Sequence, residues 1–87
     1  MLVKKVKVLD AHGLHLREAA RIVRASKNFK SRIHLFHDSK LADALSILDV
    51  LALAVTQGNE ITVIVEGPDE KEAAAALEQV FQDGAGI

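Results

Sequence analysis

The chain contains no cysteine, tryptophan or tyrosine, and only one proline, one methionine and three phenylalanines in 87 residues. Without cysteine there are no disulfides or thiolate metal sites, and a reducing cytoplasm is the simplest compartment. Aromatic residues at 3% leave no stacking platform for bases, and with a pI near 6.4 nucleic acid is a poor partner. No apolar run is long enough to cross a membrane, and Met1-Leu2-Val3-Lys4-Lys5-Val6 interposes lysines where a signal peptide would need an apolar core. Repeats, linkers and low-complexity segments are also missing. What remains, 49% hydrophobic and 26% charged, has the composition of an ordinary globular protein, and residues 1–87 are expected to form a single domain.

The charge is unevenly spread. Residues 1–40 carry a net +7 and residues 41–87 a net −8, which leaves −1 overall. Such a chain can offer a basic surface to an acidic protein without being basic as a whole.

Residues Leu2 to Leu9 alternate in strand fashion, with Val3, Val6 and Val8 set between Lys4, Lys5 and Lys7. Asp10-Ala11-His12-Gly13 reads as a loop. From Leu16 to Lys27 the period is helical, at about 100° per residue. Ala19, Ile22, Val23 and Ser26 share its inner face, and Arg17, Arg21 and Arg24 form a basic stripe opposite. Ser31–Phe36 and Lys40–Asp43 are strands around a turn at His37-Asp38-Ser39. Ser46-Ile47-Leu48-Asp49 has the form of a capping box and opens a helix running to about Val55. Ile61–Val65, β-branched throughout, suits a buried central strand. Gly67-Pro68-Asp69 turns into and caps a last helix, Glu70 to Phe81, with Ala73, Ala76, Leu77, Val80 and Phe81 inward. The tail Asp83–Ile87 is expected to fray. This β-α-β-β-α-β-α order is that of an α+β layer pair, one antiparallel sheet with helices on one face.

The second helix is apolar nearly all round. With Val50, Leu53 and Ala54 toward the sheet, Ile47, Leu48 and Leu51 are left facing outward, a patch that suits protein docking.

Gly13-Leu14-His15-Leu16-Arg17-Glu18-Ala19-Ala20 carries the chemistry. It sets His15 where a loop becomes a helix, and a helix N-terminus with unpaired N–H groups is a natural seat for phosphate. Arg17, two residues on, can clamp the anion. His12 with His15, and His34 with His37, invite a metal reading. Alternation sends His34 and His37 to opposite faces, and the first pair has no third ligand in the sequence, so neither a metal nor a cofactor is expected.

These residues resemble the HPr family, the histidine-containing phosphocarriers of the bacterial phosphoenolpyruvate–sugar phosphotransferase system. The stretch from Gly13 to Ala20 is similar to the family's Gly-Leu-His-Ala-Arg-Pro-Ala-Ala. Ser46-Ile47-Leu48-Asp49-Val50-Leu51 is similar to its Ser-Ile-Met-Gly-Leu-Met, and the likeness spans the whole chain. The resemblance implies an open-faced β-sandwich, with a four-stranded antiparallel sheet and three helices on one face. It implies that His15, assisted by Arg17, takes a phosphoryl group at Nδ1 from phosphorylated enzyme I. The group then passes to the A components of sugar permeases. On this reading the protein is a carrier within a relay rather than a free-standing enzyme. It also implies partner docking through Leu16, Ala20, Arg21, Arg24, Lys27, Ile47, Leu48 and Leu51, and a serine kinase acting at Ser46. A cytoplasmic monomer, with no nucleic-acid or membrane-embedded partner, suits such a shuttle.

Three positions depart from the family's pattern: Glu18 stands in place of proline, Leu16 of alanine and Asp49 of glycine. Glu18 is expected to set a negative charge near the incoming anion, and Asp49 to repel a phosphate on Ser46. A regulatory adaptor that docks partners without efficient transfer is therefore a second reading. A small α+β ligand-binding domain is a third.

Overall fold

The computed structural model describes residues 1–83, and the expectation of a frayed tail falls, beyond Asp83, outside them. The elements are β1 (Leu2–Lys7), α1 (Leu16–Ser26), β2 (Arg32–His37), β3 (Lys40–Asp43), α2 (Ile47–Ala52), β4 (Glu60–Glu66) and α3 (Glu70–Gln82). Their order is the one expected, and the strands form one antiparallel sheet, β1-β4-β2-β3.

The β-branched run of β4 lies inside the sheet, with Ile61, Val63 and Val65 buried on its helix-covered side. These residues set the faces of β1, because Leu2 pairs with Val65, Lys4 with Val63 and Val6 with Ile61. Directly paired residues share a face. Val3 therefore lies on the open side of the sheet, exposed, and only Val6 and Val8 of the three valines reach the core. β1 ends at Lys7, short of the expected Leu9, although the Val8 N–H still donates to the Asn59 carbonyl at 2.9 Å.

α3 packs on β1 and β4, α1 on α3 and α2, and α2 on β3. Ala19, Ile22 and Ser26 of α1 are buried as expected, and Glu18 is buried with them. On α3 the fully buried set is Ala73, Ala74, Leu77 and Phe81, while Ala76 and Val80 are half-buried.

Two expectations about the helices need correction. α2 stops at Ala52, and Ala54, placed inward by the sequence pattern, is exposed in a left-handed turn with φ 53°. That turn delivers Leu53 and Val55 to the core, while Ile47 and Leu51 are half-buried against it. Of the patch read from the sequence only Leu48 is fully outward, 75% exposed. The second correction concerns Asp69. It stands at the N-cap of α3, but its side chain makes no capping bond. Its carboxylate instead accepts the Lys30 and Ser31 N–H groups, each at 2.9 Å, and the Ser31 hydroxyl. Asp69 thus ties the start of α3 to the start of β2.

Candidate functional site

The loop before α1 is built on Gly13. It has φ +72°, its N–H closes a turn onto the Asp10 carbonyl at 2.9 Å, and a Cβ there would lie 2.3 Å from the Val55 carbonyl oxygen. That carbonyl accepts the Leu14 N–H at 3.0 Å, so the loop rests against the chain leaving α2. Buried Leu14 anchors it, and the next residue, His15, becomes the N-cap of α1 in an extended conformation.

The His15 ring is half-exposed and its two nitrogens have different surroundings. Nδ1 accepts the Arg17 N–H at 3.4 Å, a long contact at the surface, in the position that an N-cap oxygen usually occupies. Nε2 lies 2.8 Å from Glu18 Oε1. The His12 ring meets the His15 ring edge-on, with centroids 5.5 Å apart.

Glu18 does not project toward the incoming anion. Its side chain is 1% exposed and lies beneath the imidazole on the Nε2 side. Glu18 is the third helical residue, as in a capping box, but it turns back to the ring of the N-cap residue and not to its backbone N–H. Among the described residues neither of its buried oxygens makes a hydrogen bond of good geometry, and the nearest approach is that of His15 Nε2 to Oε1. Burial, then pairing with Asp10, pushes the Glu18 carboxyl above the usual range. Asp10 is held below it, first by Glu18 and then by the His12 N–H, which donates to Oδ1 at 2.8 Å. The two neighbouring carboxyls are thus shifted in opposite directions.

Nitrogen and oxygen atoms of Asp10, His15 and Glu18 lie within 4.8 Å of one another, the one group of three or more among the described residues that could hold a metal ion. The expectation that the loop histidines lack further ligands is corrected: two carboxylates join His15, and His12 is not one of the set. The second histidine pair forms no such group, and His37 Nδ1 sits 3.1 Å from the Glu60 carbonyl. Asp10 and the buried position of Glu18 were missed from sequence. The available signal was a glutamate three residues into a helix whose N-cap is a histidine.

Around this centre Arg17, Arg21 and Arg24 lie exposed along α1 with Lys27 at its C-cap, and Leu16 is exposed beside His15. Ala20 is half-buried. Arg21, Arg24, Asn28 and Val80 line a shallow depression between α1 and α3. Because α2 packs against α1, Ile47, Leu48 and Leu51 belong to the neighbouring helix. Ser46 caps that helix, its hydroxyl accepting the Asp49 N–H at 3.3 Å. The return half of the expected capping box is not made: Asp49 accepts the Asp43 N–H at 3.2 Å, and the Ser46 N–H goes to the Asp43 carbonyl.

Residues 2–83 match the family model described as the PTS HPr component phosphorylation site. The chain is 46% identical to the phosphocarrier protein HPr of Treponema pallidum, over 95% of this chain and 94% of that protein. It is 39% identical to the HPr-like protein Crh of Bacillus subtilis, over 95% and 98% of the two chains. Among solved structures, HPr-C-His from Thermoanaerobacter tengcongensis superposes with a TM-score of 0.94 at 34% identity, covering 100% of this chain and 98% of that one.

Proposed function

The chain belongs to the HPr family of the phosphotransferase system, and on that premise we propose that it carries a phosphoryl group on His15 Nδ1. Phosphorylated enzyme I is the donor, and the A components of sugar permeases are the acceptors. The observation that carries this reading is the orientation of the ring: Nε2 is engaged by a buried carboxyl, and Nδ1 is presented at the start of α1. In the transfer the Nδ1 lone pair attacks phosphorus, the donor–phosphorus bond breaks, and the donor keeps its electron pair. The phosphoryl oxygens then lie against the N–H groups of the first turn, where the helix field favours an anion, and Arg17 steadies them. The second transfer reverses these roles.

Docking falls to Leu16, Ala20, Arg21, Arg24, Lys27, Ile47, Leu48 and Leu51, a basic stripe beside an apolar helix. Ser46 is the place for a serine kinase, although Asp49, one turn along, disfavours a phosphate there. A single-domain cytoplasmic monomer fits such a shuttle. The likeness to Crh supports a second reading, an adaptor that docks the same partners without efficient transfer.

Incubation with phosphoenolpyruvate and enzyme I tests the proposal. The expected product is an acid-labile, base-stable phosphoryl adduct that His15→Ala abolishes. Enzyme I binding without any adduct would leave the adaptor reading in its place.

A further inference from the structure

We propose that Glu18 is a positioning residue: it accepts the His15 Nε2–H and so holds the imidazole in the tautomer whose Nδ1 keeps its lone pair, which turns to the phosphoryl group when the long Arg17 N–H contact is released. The inference rests on His15 being the phosphoryl acceptor and adds how this chain prepares it. Three observations converge. Nε2 and Glu18 Oε1 are 2.8 Å apart, within hydrogen-bond reach. Nδ1 already accepts the Arg17 N–H, so it carries the lone pair and the ring proton sits on Nε2. The opposite tautomer would set Nδ1–H against that N–H, two donors facing each other, and would remove the N–H from the ring nitrogen nearest to Glu18 Oε1, which has no other partner among the described residues.

Asp10 completes the arrangement. One ligand atom each of Asp10, His15 and Glu18 lie within 4.8 Å of one another, so a second carboxylate stands beside the pair. Among the described residues the charged and titratable groups around His15 are Asp10 and His12 from the loop and Arg17 and Glu18 from α1. During transfer the Nδ1–phosphorus bond forms, the donor–phosphorus bond breaks with its electron pair going to the donor, and the Nε2–H bond is kept. The positive charge that develops on the ring lies against the Glu18 carboxyl, with Asp10 beside it. Seen this way, the carboxyl that replaces the family's proline aids the acceptor from below and does not oppose the anion from above.

The geometry makes a discriminating experiment available. Glutamine at position 18 keeps a side-chain carbonyl of the same reach, able to accept from Nε2–H. Proline supplies none. Ring 15N NMR at neutral pH is expected to show a single Nε2–H tautomer in the wild type and in Glu18→Gln, and a mixture in Glu18→Pro. The rate of phosphorylation by enzyme I should stay within about twofold in Glu18→Gln. It should fall roughly tenfold in Glu18→Pro, the lower end of what losing the partner of an essential histidine costs. An Nδ1–H tautomer in the wild type overturns the inference, as does a cation on Nε2 of the purified protein. A Glu18→Pro variant with unchanged tautomer and an equal or faster rate overturns it too, while leaving His15 as the acceptor. A wild-type ring in the expected tautomer that is never phosphorylated upholds the positioning and removes the carrier function instead.

Discussion

Gly13 and His15 are joined by a single constraint. The backbone at Gly13 is left-handed, and the space a side chain would need is filled by the carbonyl that receives the Leu14 N–H. An alanine there meets both the φ penalty and a clash with backbone that cannot swing aside. Gly13→Ala is expected to cost about 2–4 kcal/mol, read by urea denaturation, and to slow phosphorylation because the loop that aims His15 must move. A variant within about 0.5 kcal/mol of wild type would show that the loop does not lean on the Val55 carbonyl. His15 and Arg17 were legible in the sequence because their relation is local: two residues apart at a helix start. Glu18 was legible only as a charge. Its burial depends on which way the ring turns and on Asp10, eight positions earlier, and neither is a matter of spacing.

Periodicity located β1 and α1, and a capping box, a β-branched run and turn residues located the other elements among the described residues. The ends of elements were harder, because distant residues decide them. Asp69 shows why: a helix-start aspartate is ordinarily a cap, yet its carboxylate goes to Lys30 and Ser31, 38 and more positions away. The sequence carries no mark of that partnership. It does have a pH signature. The Ser31 hydroxyl, then the Lys30 and Ser31 N–H groups, hold the Asp69 carboxyl below the ordinary value. A carboxyl lowered in the folded state stabilises the protein above its unfolded value of about 3.9, and that contribution is lost as pH falls through the folded value. Asp69→Asn should therefore lower Tm at neutral pH, with the gap to wild type closing below about pH 4. Scanning calorimetry across pH 2–7 makes the comparison. A gap that stays constant with pH would mean that the Asp69 charge does not contribute to the tie between β2 and α3.

The uneven charge of the chain gains meaning only when it is folded. The basic stripe of Arg21 and Arg24 stays on the outer side of α1, and the neighbouring helix α2 turns Leu48 outward. On the proposed docking role, these two features are expected to contribute differently. Charges at the edge of an interface steer the encounter and are screened by salt, whereas a buried apolar side chain slows dissociation at any ionic strength. Replacing both arginines by glutamate should lower the association rate with enzyme I by about tenfold at low salt, with most of the loss vanishing near 1 M salt, where the Debye length is about 3 Å. Leu48→Asp should instead raise the dissociation rate with little salt dependence. Stopped-flow measurements over a salt series separate the two. If the double arginine variant kept the salt dependence of the wild type, the stripe would be an ordinary solvated helix face, and the docking surface would have to be sought on α2 alone.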